Sequence, residues 1–223
     1  MTYKKYVEKM KEKSTNSAPE EIVKIFRQAA KELKDKNLED QALKVGDKLP
    51  SFSLKNAYGE MVHIEDILKE GPIIINFYRG SWCPYCNLEL RLYQKLLPKI
   101  KELGANIIAI SPDLEKYSFT MQERNQFGFE VLSDINHEVS KQFGLVFTVD
   151  QKLIPIYQKM GIDLSKYQGN TAFELPFPAT YVVNQEGIIT LAFVDSAYEL
   201  RLEPTKALDA LKKIKGVKDD SSH

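Results

Sequence analysis

The chain of 223 residues has two cysteines, and they stand three apart, at Cys83 and Cys86. The segment around them reads Phe77-Tyr78-Arg79-Gly80-Ser81-Trp82-Cys83-Pro84-Tyr85-Cys86. An apolar run feeds a glycine-containing turn, and the pattern becomes helical at the cysteines. The first four N–H groups of a helix have no internal partner, and the dipole there is positive. A thiolate at that point is stabilised, so its pKa falls below the free value of about 8.5. Arg79 adds a cation if its side chain turns toward the sulfurs. Pro84 suits the first helical turn because it has no N–H to leave unsatisfied. The spacing puts both sulfurs within one turn, so a disulfide can close without unfolding the helix. Three chemistries compete: a redox pair, metal ligation, and a pair of inert buried thiols. A structural zinc needs four ligands. Only His63, His137 and His223 could join the cysteines, and none is spaced like a finger. Two cysteines at this spacing at a helix start favour the redox pair.

The elements that must position this pair follow from periodicity. Ile73 to Tyr78 is a short continuous apolar run after Gly71-Pro72 and reads as a buried strand. From Pro84 onward, Leu90, Tyr93 and Leu97 recur at helical intervals from Cys86, and Pro98 is expected to kink or end that helix. Phe52–Leu54 and Met61–Ile64 read as a hairpin about the turn 57–60. Further strands are expected at 105–110, 131–132, 179–183 and 188–194, with a hairpin turn at Asn184-Gln185-Glu186-Gly187. Helices are expected at about 113–127 and 136–143, around 153–160, and from Glu203-Pro204 through Ile214. Strands alternating with helices, closed by a hairpin and a helix, argue a three-layer α/β domain. Residues 1–44 form a charged helical extension. There Ser17, Pro19 and Glu20 suggest a capping box, and Ile22, Phe26, Ala29 and Leu33 make one apolar stripe for packing on the main domain or on a second subunit. The main domain is assigned to 45–215, and 216–223 reads as a disordered tail.

Lysine plus arginine and aspartate plus glutamate both number 31, so the chain is formally neutral. That balance argues against a broad electrostatic grip on nucleic acid or on an anionic membrane surface. Hydrophobic residues make up 43%, enough for an ordinary core. The longest interior apolar stretch, Pro72 to Ile75, is far too short for a membrane span. Met1 to Tyr6 leads into charge rather than an apolar run, so no signal peptide is read and a cytoplasmic location is expected.

Several motifs carry a resemblance. Cys83-Pro84-Tyr85-Cys86 is similar to the glutaredoxin dithiol, and Trp82 resembles the tryptophan before the thioredoxin dithiol. Leu175-Pro176-Phe177-Pro178-Ala179-Thr180-Tyr181 resembles the thioredoxin-fold segment whose cis-proline begins a strand beside the dithiol, with Pro178 in that role. A wider resemblance spans 45–212. The run Val45-Gly46-Asp47-Lys48-Leu49-Pro50-Ser51-Phe52 is similar to the opening of peroxiredoxins of the alkyl hydroperoxide reductase/thiol-specific antioxidant family. So are Phe77-Tyr78, Leu132-Ser133-Asp134 and Ala179-Thr180-Tyr181-Val182-Val183. The nearest pattern is the dithiol-containing, thioredoxin-fold subgroup.

This resemblance implies a thioredoxin-like three-layer fold with a central mixed sheet. It also implies an oxidoreductase of thioredoxin-dependent peroxiredoxin type, acting on hydrogen peroxide or organic hydroperoxides through Cys83 and Cys86. A thioredoxin- or glutaredoxin-like donor would recycle it, with no cofactor and no metal. Trp82, Pro84, Tyr85, Phe177 and Pro178 are the expected substrate- or partner-binding residues, and a homodimer is left open. The family's peroxidatic position corresponds to Cys86, but Arg79 stands where the family has proline and Cys83 where it has threonine or serine. The family's later arginine falls near Pro178. Arg79 is therefore the expected cation of the site; Arg201 is the weaker candidate and reads rather as a solvated or salt-bridged surface arginine. Helix geometry favours Cys83 as nucleophile and family register favours Cys86. A disulfide oxidoreductase led by Cys83, or a non-catalytic redox-sensing module, are the alternatives.

Overall fold

The computed structural model describes residues 2–15 and 19–217. In chain order the elements are α1 (Tyr3–Thr15), α2 (Glu20–Lys34), β1 (Ser53–Asn56), β2 (Met61–His63), α3 (Ile64–Glu70), β3 (Ile73–Phe77), α4 (Pro84–Glu102), β4 (Asn106–Ser111), α5 (Glu115–Asn125), β5 (Glu130–Ser133), α6 (Glu138–Gln142), β6 (Val146–Thr148), α7 (Ile154–Lys159), α8 (Leu164–Gln168), β7 (Glu174–Pro176), β8 (Ala179–Val183), β9 (Ile189–Val194) and α9 (Pro204–Ile214).

Seven strands form one mixed sheet in the order β2-β1-β5-β4-β3-β8-β9, and β6 and β7 pair separately. The central strand β3 runs parallel to β4 and antiparallel to β8. All five of its residues are buried, as a strand covered on both faces requires. Its side chains alternate between two cores. Ile73, Ile75 and Phe77 pack with Ile64, Val139, Phe143 and Tyr181 in one layer. Ile74 packs in the other with Cys83, Cys86, Leu90 and Tyr93 of the α4 segment and Ala207, Leu208 and Leu211 of α9. These layers around one mixed sheet are the three-layer α/β arrangement read from the strand and helix pattern, and they fit the thioredoxin-like fold that the resemblance implies.

The N-terminal helices pack on their own chain. The carboxylate of Glu203 accepts the N–H groups of Tyr3 at 3.0 Å and Lys4 at 2.9 Å, a favourable charge at the α1 N-terminus. Tyr3 is buried, and its hydroxyl donates to the Glu199 carbonyl. The α2 stripe divides. Ile22, Phe26 and Ala29 pack against Val149, Leu153, Ile156 and Tyr157, and Leu33 packs against the sheet core. Pro19 is the N-cap of α2; the expected capping residue Ser17 lies outside the described residues, as do residues 218–223 of the expected tail.

Two local readings change and a third is extended. Pro98 lies inside α4, which continues to Glu102. Loss of one backbone bond there is offset by the last turn's burial of Ile100, which has no exposed surface. Residues 64–70 form a helix rather than extending the hairpin. Segment 145–176 holds the helix expected near 153–160, as α7, and adds α8 and the strands β6 and β7. Among the described residues, no helix is long and apolar enough to cross a membrane.

Candidate active site

The parity of β3 builds the floor of the site. Asn76 faces the α4 side and pairs in register with Thr180 of β8. Its Nδ2 donates to Thr180 Oγ1 at 3.1 Å and to Oε1 of Glu89, which descends from α4, at 3.0 Å. After β3 the chain turns at Gly80, whose φ is +149°. A Cβ there would lie 2.4 Å from Trp82 Nε1 and 2.8 Å from Asp113 Oδ1, so only glycine fits. Asp113 Oδ2 accepts the Ser81 N–H at 2.6 Å, and Asn87 Nδ2 donates to the Ser81 and Cys83 carbonyls. The turn is thereby held against the start of α4. Cys83 is the N-cap residue, Pro84 occupies the first helical position, and Cys86 follows within the first turn. Both cysteines are unbonded thiols and both are buried.

The surroundings of the two sulfurs differ. Burial alone would raise the Cys83 pKa. The Cys86 thiol donates a hydrogen bond to the Cys83 sulfur, the Cys86 N–H points at it, and Arg79 and Arg201 supply positive charge. Together these bring Cys83 down to about 6. Arg79 is itself buried. Its Nη2 donates to the Tyr157 hydroxyl, and its guanidinium lies 4.9 Å from the Trp82 ring centre and 4.6 Å from that of Tyr198. Such cation–π contacts partly compensate a desolvated cation.

Cys86 is pushed the other way. Burial, and its role as donor to Cys83, raise its pKa well above the ordinary thiol value. Its sulfur receives Arg201 Nη2 at 3.4 Å, yet Arg201 is also committed to Glu89, with Nε 2.7 Å from Oε2 and both side chains almost wholly buried. Arg201 donates further to the carbonyls of Tyr198 and Leu200. Burial pushes Glu89 up to about 7, against the pull of Arg201. Burial likewise pushes Asp113 up to about 7, against the bond from Ser81. The pair as a whole can hold one proton between two sulfurs, as thiolate at Cys83 and thiol at Cys86.

Among the residues expected at the site, Cys83, Cys86, Arg79 and Trp82 come together. Pro84 is exposed and Tyr85 half-buried at the rim, where Tyr85 meets Tyr198 edge-on at 5.6 Å. Phe177 lies in the opposite layer, fully buried and stacked on Phe147 at 4.8 Å. The expected cis bond at Pro178 is not present, because every peptide bond among the described residues is trans. Phe177 donates its N–H to Leu145 and Ala179 pairs with Phe77. The chain thus passes extended from the small sheet to the large one, and trans is the cheaper form of an X–Pro bond. Arg201 also departs from its expected surface position, being buried on Glu89 and Cys86. Glu89 was legible in principle, since it interrupts the apolar α4 face of Cys86, Leu90 and Tyr93. Tyr157, Tyr198, Thr180 and Arg201 carry no comparable local signal.

Comparison with known proteins bears on the family and on the fold. Residues 45–192 match the sequence profile described as the AhpC/TSA family. Peroxiredoxin Bcp of Escherichia coli is 30% identical over 103 residues, covering 46% of this chain and 65% of that protein. The crystal structure of peroxidoxin BcpB from Mycobacterium tuberculosis superposes with a TM-score of 0.61 at 22% identity, covering 77% of this chain and 98% of that one. Mycobacterium tuberculosis AhpC superposes with a TM-score of 0.61 at 16% identity, covering 81% and 97%. These structural likenesses are likenesses of fold.

Proposed function

We propose, from the premise that this chain belongs to the AhpC/TSA family, that it is a thiol peroxidase of peroxiredoxin type in which Cys83 attacks and Cys86 resolves. The observation that carries the assignment of roles is the unequal setting of the two sulfurs. Cys83 is held as a thiolate near neutral pH, with its pKa brought to about 6, whereas Cys86 is held as a thiol. A thiolate is the nucleophile toward a peroxide oxygen.

Cys83 sulfur attacks the terminal oxygen of the hydroperoxide. The O–O bond breaks, the leaving alkoxide or hydroxide takes a proton to become alcohol or water, and Cys83 becomes a sulfenic acid. Cys86 sulfur then attacks the Cys83 sulfur. Its thiol proton and the sulfenic hydroxyl leave as water, and a Cys83–Cys86 disulfide remains. A thioredoxin- or glutaredoxin-like dithiol returns two electrons by exchange. Exposed Pro84 and half-buried Trp82 and Tyr85 form the rim at which that donor engages. Arg79 stabilises the attacking thiolate, and Arg201 orients Cys86. A solved Xanthomonas campestris relative by fold, the bacterioferritin comigratory protein, is described as having alkyl peroxide reduction activity, which supports an organic hydroperoxide as one substrate.

Single-turnover oxidation by hydrogen peroxide tests the assignment. Cys86→Ser should form a sulfenic acid at close to the wild-type rate, and Cys83→Ser should not. The reverse result moves the attack to Cys86, the position that family register favours.

A second reading, thiol–disulfide oxidoreductase, is favoured by one feature: Cys83 stands at the helix N-cap beside an exposed proline, a setting suited to disulfide exchange. Turnover with a small disulfide and none with any hydroperoxide would select it.

A further inference from the structure

A cavity of about 280 Å³ lies between α2 and the segment 147–157. Phe26, Ala29, Leu33, Phe147, Val149 and Leu153 make its walls apolar, and Arg79 with Tyr198 closes one side. Small-molecule sites are usually about 300–1,000 Å³, mostly apolar with a few placed polar groups, so this one suits a small ligand. The α2 wall lies outside the segment 45–192 that matches the family profile.

Arg79 has an unusual need. It is buried, and its Nε has no hydrogen-bond partner. Arg201 has the carboxylate of Glu89, but Arg79 has the Tyr157 hydroxyl and the rings of Trp82, Tyr157 and Tyr198 and no ion pair with a carboxylate among the described residues. A buried cation without an anion is costly. In the reduced protein of the proposed mechanism the Cys83 thiolate, whose field reaches Arg79, is that anion. Once Cys83 and Cys86 are joined, neither sulfur carries charge and Arg79 is left with aromatic rings and a hydroxyl. The cavity mouth, at Glu32, Lys36 and Asp150, has no excess of positive charge, so the guanidinium is the seat for an anionic head.

We infer that this cavity binds a medium-chain carboxylate, its head on the Arg79 guanidinium and its chain along α2, and that it binds more tightly to the disulfide form than to the reduced form. The redox dependence rests on the Cys83–Cys86 disulfide of the proposed function; the cavity and its cation do not. By reciprocity of linkage, the carboxylate favours the disulfide by the same factor by which the disulfide favours the carboxylate.

Octanoate is the probe, and Trp82, the one tryptophan in the chain, reports from beside Arg79. The disulfide form is prepared with diamide, verified by thiol titration, and titrated alongside the reduced form by Trp82 fluorescence and calorimetry. Diamide makes the test independent of any peroxidase activity, which is measured separately with hydrogen peroxide. Octanoate should bind the disulfide form at least tenfold more tightly than the reduced form, and at least tenfold more tightly than octanol or octylammonium. Arg79→Met should abolish the preference for octanoate over octanol. Ala29→Phe, which fills the cavity from α2 away from the sulfurs and adds no second tryptophan, should remove binding while the alkylation rate of Cys83 stays within twofold. Equal affinity for octanol and octanoate, equal affinity for the two redox forms, or undiminished binding in Ala29→Phe each overturns the inference.

Discussion

Cys83 and Cys86 sit one helical turn apart, each within reach of an arginine, yet the two halves of the site do opposite things. The guanidinium beside Cys83 has aromatic rings and one hydroxyl for company, so its charge acts on the sulfur. The guanidinium beside Cys86 is spent largely on Glu89, in a buried ion pair with Nε to Oε2 at 2.7 Å. A cation therefore activates a thiol according to what else neutralises it, not according to proximity alone. The hydrogen bond between the sulfurs completes the asymmetry by giving Cys86 the proton and Cys83 the charge.

The comparison breaks most directly at the sulfurs. Cys83→Ser should lower the rate of peroxide consumption in a single turnover by at least about a hundredfold, whereas Cys86→Ser should leave that step and block disulfide formation. Stopped-flow peroxide loss with mass mapping of the product reads both. If the two variants lose the first step equally, the division of roles fails.

The next largest effect is expected at Arg201. Arg201→Met strands Glu89 as a buried carboxyl with no cation, and breaking such a pair costs about 3–5 kcal/mol. The double variant Arg201→Met/Glu89→Gln should recover much of that in a denaturant titration. No recovery would mean that Arg201 acts through contacts other than Glu89.

Arg79→Met tests the uncompensated side. The Cys83 pKa should rise from about 6 toward the free value of about 8.5. Alkylation at pH 6.5 should slow by about tenfold to a hundredfold, with little change in global stability. An unshifted alkylation profile would assign the lowered pKa to the Cys86 thiol and N–H bonds and to Arg201.

Asp113 should affect the sulfurs least, and its signature is in stability. Its folded pKa, about 7, lies above its ordinary 3.8. Between those values the folded chain keeps a proton that the unfolded chain has lost. Its contribution is therefore fully present below pH 4 and is lost as pH rises to 7, by at most about 1.4 kcal/mol per pH unit. Asp113→Asn should flatten that part of the curve of unfolding free energy against pH, with the Cys83 alkylation profile nearly unmoved. An unchanged slope would mean that Asp113 is ionised in the fold throughout.

Much of the fold was legible because its signals are local. The run 73–78 is too apolar and too short to be anything but a covered strand, and the change of period at Pro84 marks a helix start. Segment 145–176 was legible only in its helix near 153–160. Its strands are three residues long and pair only with each other, and its short helices are held by contacts with α2. Pro98 misled because a local rule about helices yielded to the burial of the turn beyond it. At the site, the dithiol and Arg79 were visible in the sequence. Arg201 read as a surface residue because its neighbours Asp195, Ser196, Tyr198 and Glu199 are polar, and nothing local says that the loop closes over α4. Pro178 was misassigned as cis because the resemblance of its motif outweighed what an extended chain between two sheets allows.

The sequence by itself determined the chemistry available: two thiols one turn apart at a helix N-terminus, a glycine turn before them, and a buried strand leading into that turn. These follow from backbone geometry and side-chain spacing over some fifteen residues. Which sulfur holds the charge was decided only by tertiary structure. That outcome depends on three pieces far apart in the chain: Tyr157 and Tyr198 enclosing Arg79, Arg201 arriving from the loop before α9, and Glu89 waiting beneath it to neutralise one cation and not the other. Electrostatic effects of this kind depend on distance and burial after folding, and no spacing along the sequence encodes them.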